Sequence, residues 1–349
     1  MTLSESLGRL DAQGMHGAIR SFPDHLAVGW ERGEAAQAWG FTADQFDGVV
    51  VCGMGGSAIG ADLVRTLAEP DAPVPIQVLR GYDLPAWVCA RTLVVASSYS
   101  GDTEETLSAL DQAERRGSAI VAVTSGGALL RRAEREGYRH VVIPVGLQPR
   151  AALGYSLGVL LRVARAPGFL HLTEIDFEDT LDELRARADR LAPAASSPAL
   201  DLADRLVDRL PVVYTGTGLL EAVGLRWRTQ LHENAKVFAV GNVLPELNHN
   251  EIMGFEAAPE AVRERLAVVV LRDREDHPQV LRRIEATRDL IAPRVADWIE
   301  VETEGESRLA RQLSLVQLGD WVSFWLAMRL GVDPTPVGTI QQLKATLAG

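Results

Sequence analysis

Short runs of β-branched and small apolar residues alternate with longer stretches whose apolar positions recur every three or four residues, through most of the chain. GVVVC (48–52) leads into the glycine turn GMGGS and the helical ADLVRTLAE. PIQVLR and TLVVASS follow, then a helix over 103–116, AIVAVT, another helix and HVVIPV. A helical stretch over 156–195 closes on APAASSPAL, and the pattern begins again with PVVYTGTG and the helical LLEAVGLRWRTQLHENAK. LAVVVLRD reads as a strand, HPQVLRRIEATRDL as a helix, WIEVETEG as a strand and RLARQLSLVQLGDWVSFWLAMRLG as a long helix. Runs without polar alternation mark strands covered on both faces, so this order predicts an α/β fold with mainly parallel sheets flanked by helices. Residues 1–45 form an expected N-terminal helical segment, 46–155 a first α/β domain, 156–195 a helical connection and 196–349 a second α/β domain with a C-terminal tail.

Length agrees, since 349 residues suit two domains better than one core. A net charge of −12 argues against a nucleic-acid or anionic-membrane partner, which would require a basic face. Two cysteines, Cys52 and Cys89, are too few for a disulfide framework, and the N-terminus has no basic flank followed by an apolar run. The expected compartment is therefore the cytoplasm. Of the 35 basic residues only Lys236 and Lys344 are lysines, and the four asparagines, Asn234, Asn242, Asn248 and Asn250, all fall within ENAKVFAVGNVLPELNHN. In a chain that otherwise uses arginine, a retained lysine marks chemistry that needs a compact, titratable ammonium. The asparagine window is a functional candidate; asparagines serving turns and caps are the alternative.

GMGGSAIG fits G-x-G-x-x-A between a strand and a helix, the pattern of a dinucleotide site. Its usual companion, an acid closing the next strand, is missing: that strand ends in Arg80, with Asp83 three residues on. SSYSGDTEET, at the end of a later strand, adds hydroxyls for which a dinucleotide has no use. A single phosphate monoester accounts for both loops. Its three oxygens would be met by Ser57, Ser98, Ser100 and Thr103 and by the amides around Gly55 and Gly56. Asp102 and Glu105 would repel that phosphate, so they are expected to form a capping box at the helix start instead. His16, His25, His140, His171 and His277 have no partners at ligand spacing, and neither a metal nor an organic cofactor is implied.

GMGGSA and SYSGDTEETL resemble the sugar isomerase (SIS) domain, an α/β sandwich that binds phosphosugars. LRWRTQLHENAK with LPELNHNEIMGFE is narrower and resembles the bifunctional phosphoglucose/phosphomannose isomerases, which carry two such domains in tandem; the resemblance runs from Gly48 to Lys344. It implies a metal-independent aldose–ketose isomerase acting on glucose 6-phosphate and mannose 6-phosphate through a cis-enediolate. It further implies Glu233 as the proton-shuttling base, His249 in ring opening, Arg150 facing the enediolate and Lys344 at the sugar ring. Thr335 is the candidate for the small hydroxyl residue that the family links to dual specificity. A homodimer with the active site at the subunit interface, His249 crossing from the partner, is also implied. His232 beside the base and Lys236 have no assigned role. A phosphosugar-binding regulator without catalysis, a nicotinamide-dependent dehydrogenase and an isomerase for another phosphosugar remain open as alternatives at this point.

Overall fold

The computed structural model describes residues 3–347. It divides into two compact units: one comprises Ser21–Arg185 and Gly305–Leu313, the other the chain up to Arg20, Ala186–Glu304 and the chain from Ser314 onward. Helices α1 (Leu3–Leu10), α2 (Met15–Arg20) and α3 (Phe22–Arg32) precede the first strand.

The first sheet is built from β1 (Gly48–Cys52), α4 (Gly55–Ala68), β2 (Ile76–Leu79), β3 (Thr92–Ser98), α5 (Glu104–Arg115), β4 (Ala119–Thr124), α6 (Gly127–Glu136) and β5 (Arg139–Val142). Helices α7 (Leu153–Arg165) and α8 (Glu174–Leu191) follow. All strands are parallel, in the order β2-β1-β3-β4-β5. β1 and β3 are buried along their whole length, which is why they read as unbroken apolar runs. Val50, Cys52, Val94 and Ala96 pack against Leu110 and Ala113 of α5 and Leu129 and Ala133 of α6. Val49, Val51, Leu93 and Val95 face Ala61 and Val64 of α4 and Leu160 and Val163 of α7 on the other side. A Cβ on Gly158 of α7 would lie 2.4 Å from both Leu26 O and Trp30 N of α3, so this crossing brings two backbones together and admits only glycine there.

The second sheet follows α9 (Pro198–Leu206) and contains β6 (Leu210–Gly216), α10 (Glu221–Gln230), β7 (Val240–Leu244), α11 (Glu260–Arg263), β8 (Leu266–Arg272), α12 (Pro278–Ile291) and β9 (Asp297–Glu302). Its strands are again all parallel, in the order β7-β6-β8-β9. α13 (Arg308–Leu330) and α14 (Gly338–Leu347) complete the chain. The predicted α/β class with two parallel sheets is what the structure contains. β7 is an addition that the hydrophobic pattern does not predict. Among the described residues no helix is long and apolar enough to cross a membrane.

In each sheet the chain reverses its direction of travel across the sheet beside the first strand, between β1 and β3 and again between β6 and β8. At such a switch point the loops leaving the carboxyl ends of the two strands diverge and open a crevice. GMGGS leaves β1 and SYSGDT leaves β3, so the two loops singled out in the sequence flank one switch point.

Candidate active site

The hydroxyl loops are tied into one cluster. Ser57 Oγ accepts the Tyr99 N–H at 3.2 Å, which joins the glycine turn after β1 to the loop after β3. Ser98 Oγ lies 2.7 Å from Thr103 Oγ1 and accepts the Gly101 N–H at 3.1 Å, while Ser100 Oγ accepts the Asp102 N–H at 3.3 Å. Thr103 occupies the N-cap of α5 and Met54 that of α4, and neither helix start receives a side-chain cap. Two helix N-termini with amides left to a ligand, lined by serine and threonine, form the kind of site that an anion occupies.

The expected capping box is corrected by the structure. Asp102 Oδ1 accepts the Ala128 N–H at 2.8 Å, so its carboxylate caps the beginning of α6 and leaves α5 uncapped. This keeps the carboxylate employed on a neighbouring helix.

Gly56 brings in the arginine. A Cβ there would meet Pro149 O at 2.7 Å and Arg150 Cα at 3.5 Å, so the backbone of the segment before α7 rests directly on the glycine turn, and Arg150 is buried beside it. Tyr99, inside the SYSGDT motif but given no role by it, holds the same segment: its hydroxyl accepts the Leu147 N–H at 3.2 Å. Its carbonyl accepts from Ser125 N at 3.1 Å and Ser125 Oγ at 2.5 Å. Gly56, Ser57, Ser98, Ser100, Thr103 and Arg150 thus belong to one unit and one connected set of loops.

Glu233, His249 and Lys344 belong to the other unit. α10 is fixed to α13 by a buried polar row. Arg226 donates to Asp320 through Nε at 3.0 Å and Nη2 at 2.6 Å, Gln230 Nε2 reaches Asp320 Oδ1 at 2.9 Å, and Asn234 Nδ2 reaches Ser323 Oγ at 3.0 Å. Beyond Gln230 the helix widens into a π turn, Leu231–Ala235, which presents Glu233 half-buried. Wide turns of this kind recur at functional sites. Lys236 ends the turn at φ 58° and donates from Nζ to the Glu233 main-chain carbonyl and, at 3.3 Å, to Pro334 O. The His232 ring stacks on Phe238 with centroids 5.9 Å apart, and its Nε2 lies 2.9 Å from Ala239 O, so it serves the following loop.

His249 closes a short 3₁₀ turn, Glu246–His249, with its side chain exposed. The asparagines beside it do not orient its ring. Asn248 Nδ2 donates to Thr287 Oγ1 at 2.8 Å, Asn250 Nδ2 donates to Glu246 Oε1 at 2.7 Å, and Asn250 Oδ1 accepts the Glu251 N–H at 2.6 Å. Of the window's asparagines only Asn250 makes a cap bond; Asn234 and Asn248 tie the window to α13 and α12. Lys344 sits on α14, exposed along its length, and forms no ion pair with a described residue. Thr335 is buried, its N–H donated to Asp333 Oδ1 at 2.8 Å.

A family model described as the bacterial phospho-glucose isomerase C-terminal SIS domain matches residues 195–347. A bifunctional phosphoglucose/phosphomannose isomerase of Caldicellulosiruptor bescii is 41% identical over 96% of this chain and 99% of its own. One from Aquifex aeolicus is 37% identical over 86% of this chain and 91% of its own. Among solved structures, a hypothetical protein of Thermus thermophilus superposes with a TM-score of 0.74 at 20% identity, covering 99% of this chain and 95% of that one, a likeness of fold.

Proposed function

The chain belongs to the bifunctional phosphoglucose/phosphomannose isomerases and is an aldose–ketose isomerase, and on that premise we propose that it interconverts glucose 6-phosphate and mannose 6-phosphate with fructose 6-phosphate through a cis-enediolate, without a metal ion. The observation that carries the substrate class is the pair of uncapped helix starts at the first switch point, lined by Ser57, Ser98, Ser100 and Thr103 around the Gly56 turn. Three phosphate oxygens need several donors from different directions, and dipoles and hydroxyls supply them without binding the group so firmly that it cannot leave. We assign that role to the domain over 46–155 and the proton chemistry to the domain over 196–349.

Glu233 takes the proton from C2 and returns it to C1, and a carboxylate suits this transfer because the same oxygen can do both; such acid–base steps contribute on the order of 10²–10⁴-fold. His249 assists opening of the pyranose ring, where an imidazole can accept a proton at one nitrogen and donate one from the other. Arg150 provides fixed positive charge for the enediolate, and Lys344 acts at the sugar ring. The enediolate is planar at C2, so the two aldoses share it, and reprotonation from either face accounts for both activities. Thr335 is the position we connect with that tolerance. Two copies of the chain form a homodimer in the cytoplasm, with the active site at their interface.

The test is solvent exchange at C2, followed by NMR in deuterated water with a chelator present. The native enzyme is expected to incorporate deuterium from solvent, whereas Glu233→Gln loses exchange and turnover together, by at least about 10³-fold, with substrate binding changed only a few-fold. A Glu233→Gln protein that still exchanges the C2 proton would remove the base, and loss of native turnover on chelation would remove the metal-free reading.

A further inference from the structure

The segment carrying His249 is anchored on its C-terminal side by a carboxylate to which the reaction gives no task. Glu251 lies two residues beyond His249. Its Oε1 accepts the hydroxyl proton of Tyr214 at 2.6 Å, and its Oε2 accepts from Asn242 Nδ2 at 2.6 Å. Tyr214 is fully buried in β6 and packs in the core of the second sheet with Val212, Leu244, Leu247 and Val268. Asn242 is in β7, and its own Oδ1 accepts the Val243 N–H at 2.8 Å, which fixes the way its amide faces. The two oxygens of one carboxylate are thus clamped by donors from two neighbouring strands, one of them a rigid aromatic with no freedom to follow a moving loop. On the N-terminal side the same segment is held by Asn248 to Thr287 Oγ1 of α12, at 2.8 Å. His249 is the exposed residue between these anchors.

We infer that Tyr214, Glu251 and Asn242 are positioning residues that set where His249 stands for ring opening. This rests on the reading of His249 given above. The long connection over 245–265 between β7 and β8 would otherwise sample several positions, and displacement of a catalytic group by about 1 Å costs on the order of 10²-fold in rate. Charge-assisted bonds to both carboxylate oxygens hold it more firmly than neutral ones would. Glu251 touches neither substrate nor reacting atoms in this account, so it acts only through the two bonds that it accepts.

The experiment uses the full chain and measures steady-state kinetics on the ring-closed aldose phosphate. Tyr214→Phe removes one clamp with little change in shape. It is expected to lower kcat about tenfold with KM within about twofold, and to add no further loss in a His249→Ala background, because the two changes then affect one group. Asn242→Asp sets two acceptors face to face, and the amide of Glu251→Gln can keep only one of the two native bonds, its NH₂ facing either the Asn242 amide or the Tyr214 hydroxyl; each is expected to lose kcat. Combined, they restore one donor facing one acceptor while the Tyr214 and Val243 bonds persist, so the double variant is expected to recover most of the native kcat. Full kcat in Tyr214→Phe, a loss that multiplies with that of His249→Ala, or a double variant no better than its parents would overturn the inference. Should Tyr214→Phe not fold, the Asn242/Glu251 exchange decides alone. Native kcat in His249→Ala by itself would instead sink the role of His249, and is read separately from these outcomes.

Discussion

Asp276 stands where the chain leaves β8, with Oδ2 accepting the Asp273 N–H at 2.9 Å and Oδ1 3.0 Å from where a Cβ on Gly216 would project. Burial pushes its carboxyl from 3.8 up to about 6, the Asp273 N–H and the Arg272 guanidinium pull it down, and the Asp273 charge adds to the rise. A raised carboxyl is proton-hungry in the folded chain, so the contribution of Asp276 to stability is full below the unfolded value near 3.8 and is lost as pH climbs through about 6. Asp276→Asn keeps an acceptor for Asp273 and abolishes the charge. Calorimetry is expected to show it more stable than the parent by about 1–2 kcal/mol at pH 8 after allowing for solvent screening, or about 2–6 °C in Tm, with the gain vanishing near pH 4. A variant no more stable than the parent at pH 8 would contradict this. Other residues show what single positions disclose. Ser57, Ser98, Ser100 and Thr103 were legible because their partners lie in the same two motifs, whereas the partner of Asp102, Ala128, is 26 residues away and the partner of Asn234, Ser323, is 89 away. Residue type announces the capacity to bond; only the fold decides with whom.

The loops after β3 and after β8 occupy corresponding places in sheets of matching strand order, yet they differ in chemistry. After β3 come hydroxyls and an uncapped helix. After β8 come Asp273 and Asp276, and His277 Nδ1 caps α12 by accepting the Gln279 N–H at 3.1 Å. Carboxylates and a filled N-cap disfavour an anion there, so the site proposed above predicts one phosphate group per chain. Calorimetric titration with a hexitol 6-phosphate, which cannot isomerise, is expected to give one site per chain. Ser98→Ala with Thr103→Val would weaken it at least tenfold and Asp276→Asn would leave it unchanged; two sites, or binding indifferent to the hydroxyls, would refute the assignment. Strands β1, β3, β4 and β8 stood out because both faces are covered and every position but the terminal Arg272 is apolar or small. β7, VGNVL, did not: glycine and asparagine interrupt it, only Leu244 is fully buried, and as an edge strand it has fewer neighbours to dictate its composition. The helix over 219–236 was expected to run unbroken, but a change from α to π at Leu231 is imposed by Gln230 and Asn234 reaching α13, contacts that local propensity does not encode.

At the scale of the whole molecule, His249 and Lys344 are exposed on their own chain, although the proposed reaction, to which both are assigned, would proceed through an enediolate. Such an intermediate is protonated or decomposed by bulk water, and a charged group opposite it acts strongly only where water is excluded. A second copy of the chain is the covering surface that the dimer reading provides, with His249 of one subunit completing the pocket of the other. Closed two-fold symmetry makes both sites equivalent and gives a quantitative test. Mixing Glu233→Gln with His249→Ala and allowing subunits to exchange produces hybrids in which one site carries both defects and the other carries neither. Random exchange of equal amounts makes about half of the dimers hybrid, each with one intact site of two, so activity is expected to rise from nearly nothing to about a quarter of native. If His249 serves its own chain, every site in every hybrid keeps one defect and no activity returns. Sedimentation on the same samples separates the two ways of failing: a dimer that exchanges subunits without recovery means that His249 acts in its own chain, and a monomer means that the exposed groups are not covered by a second copy.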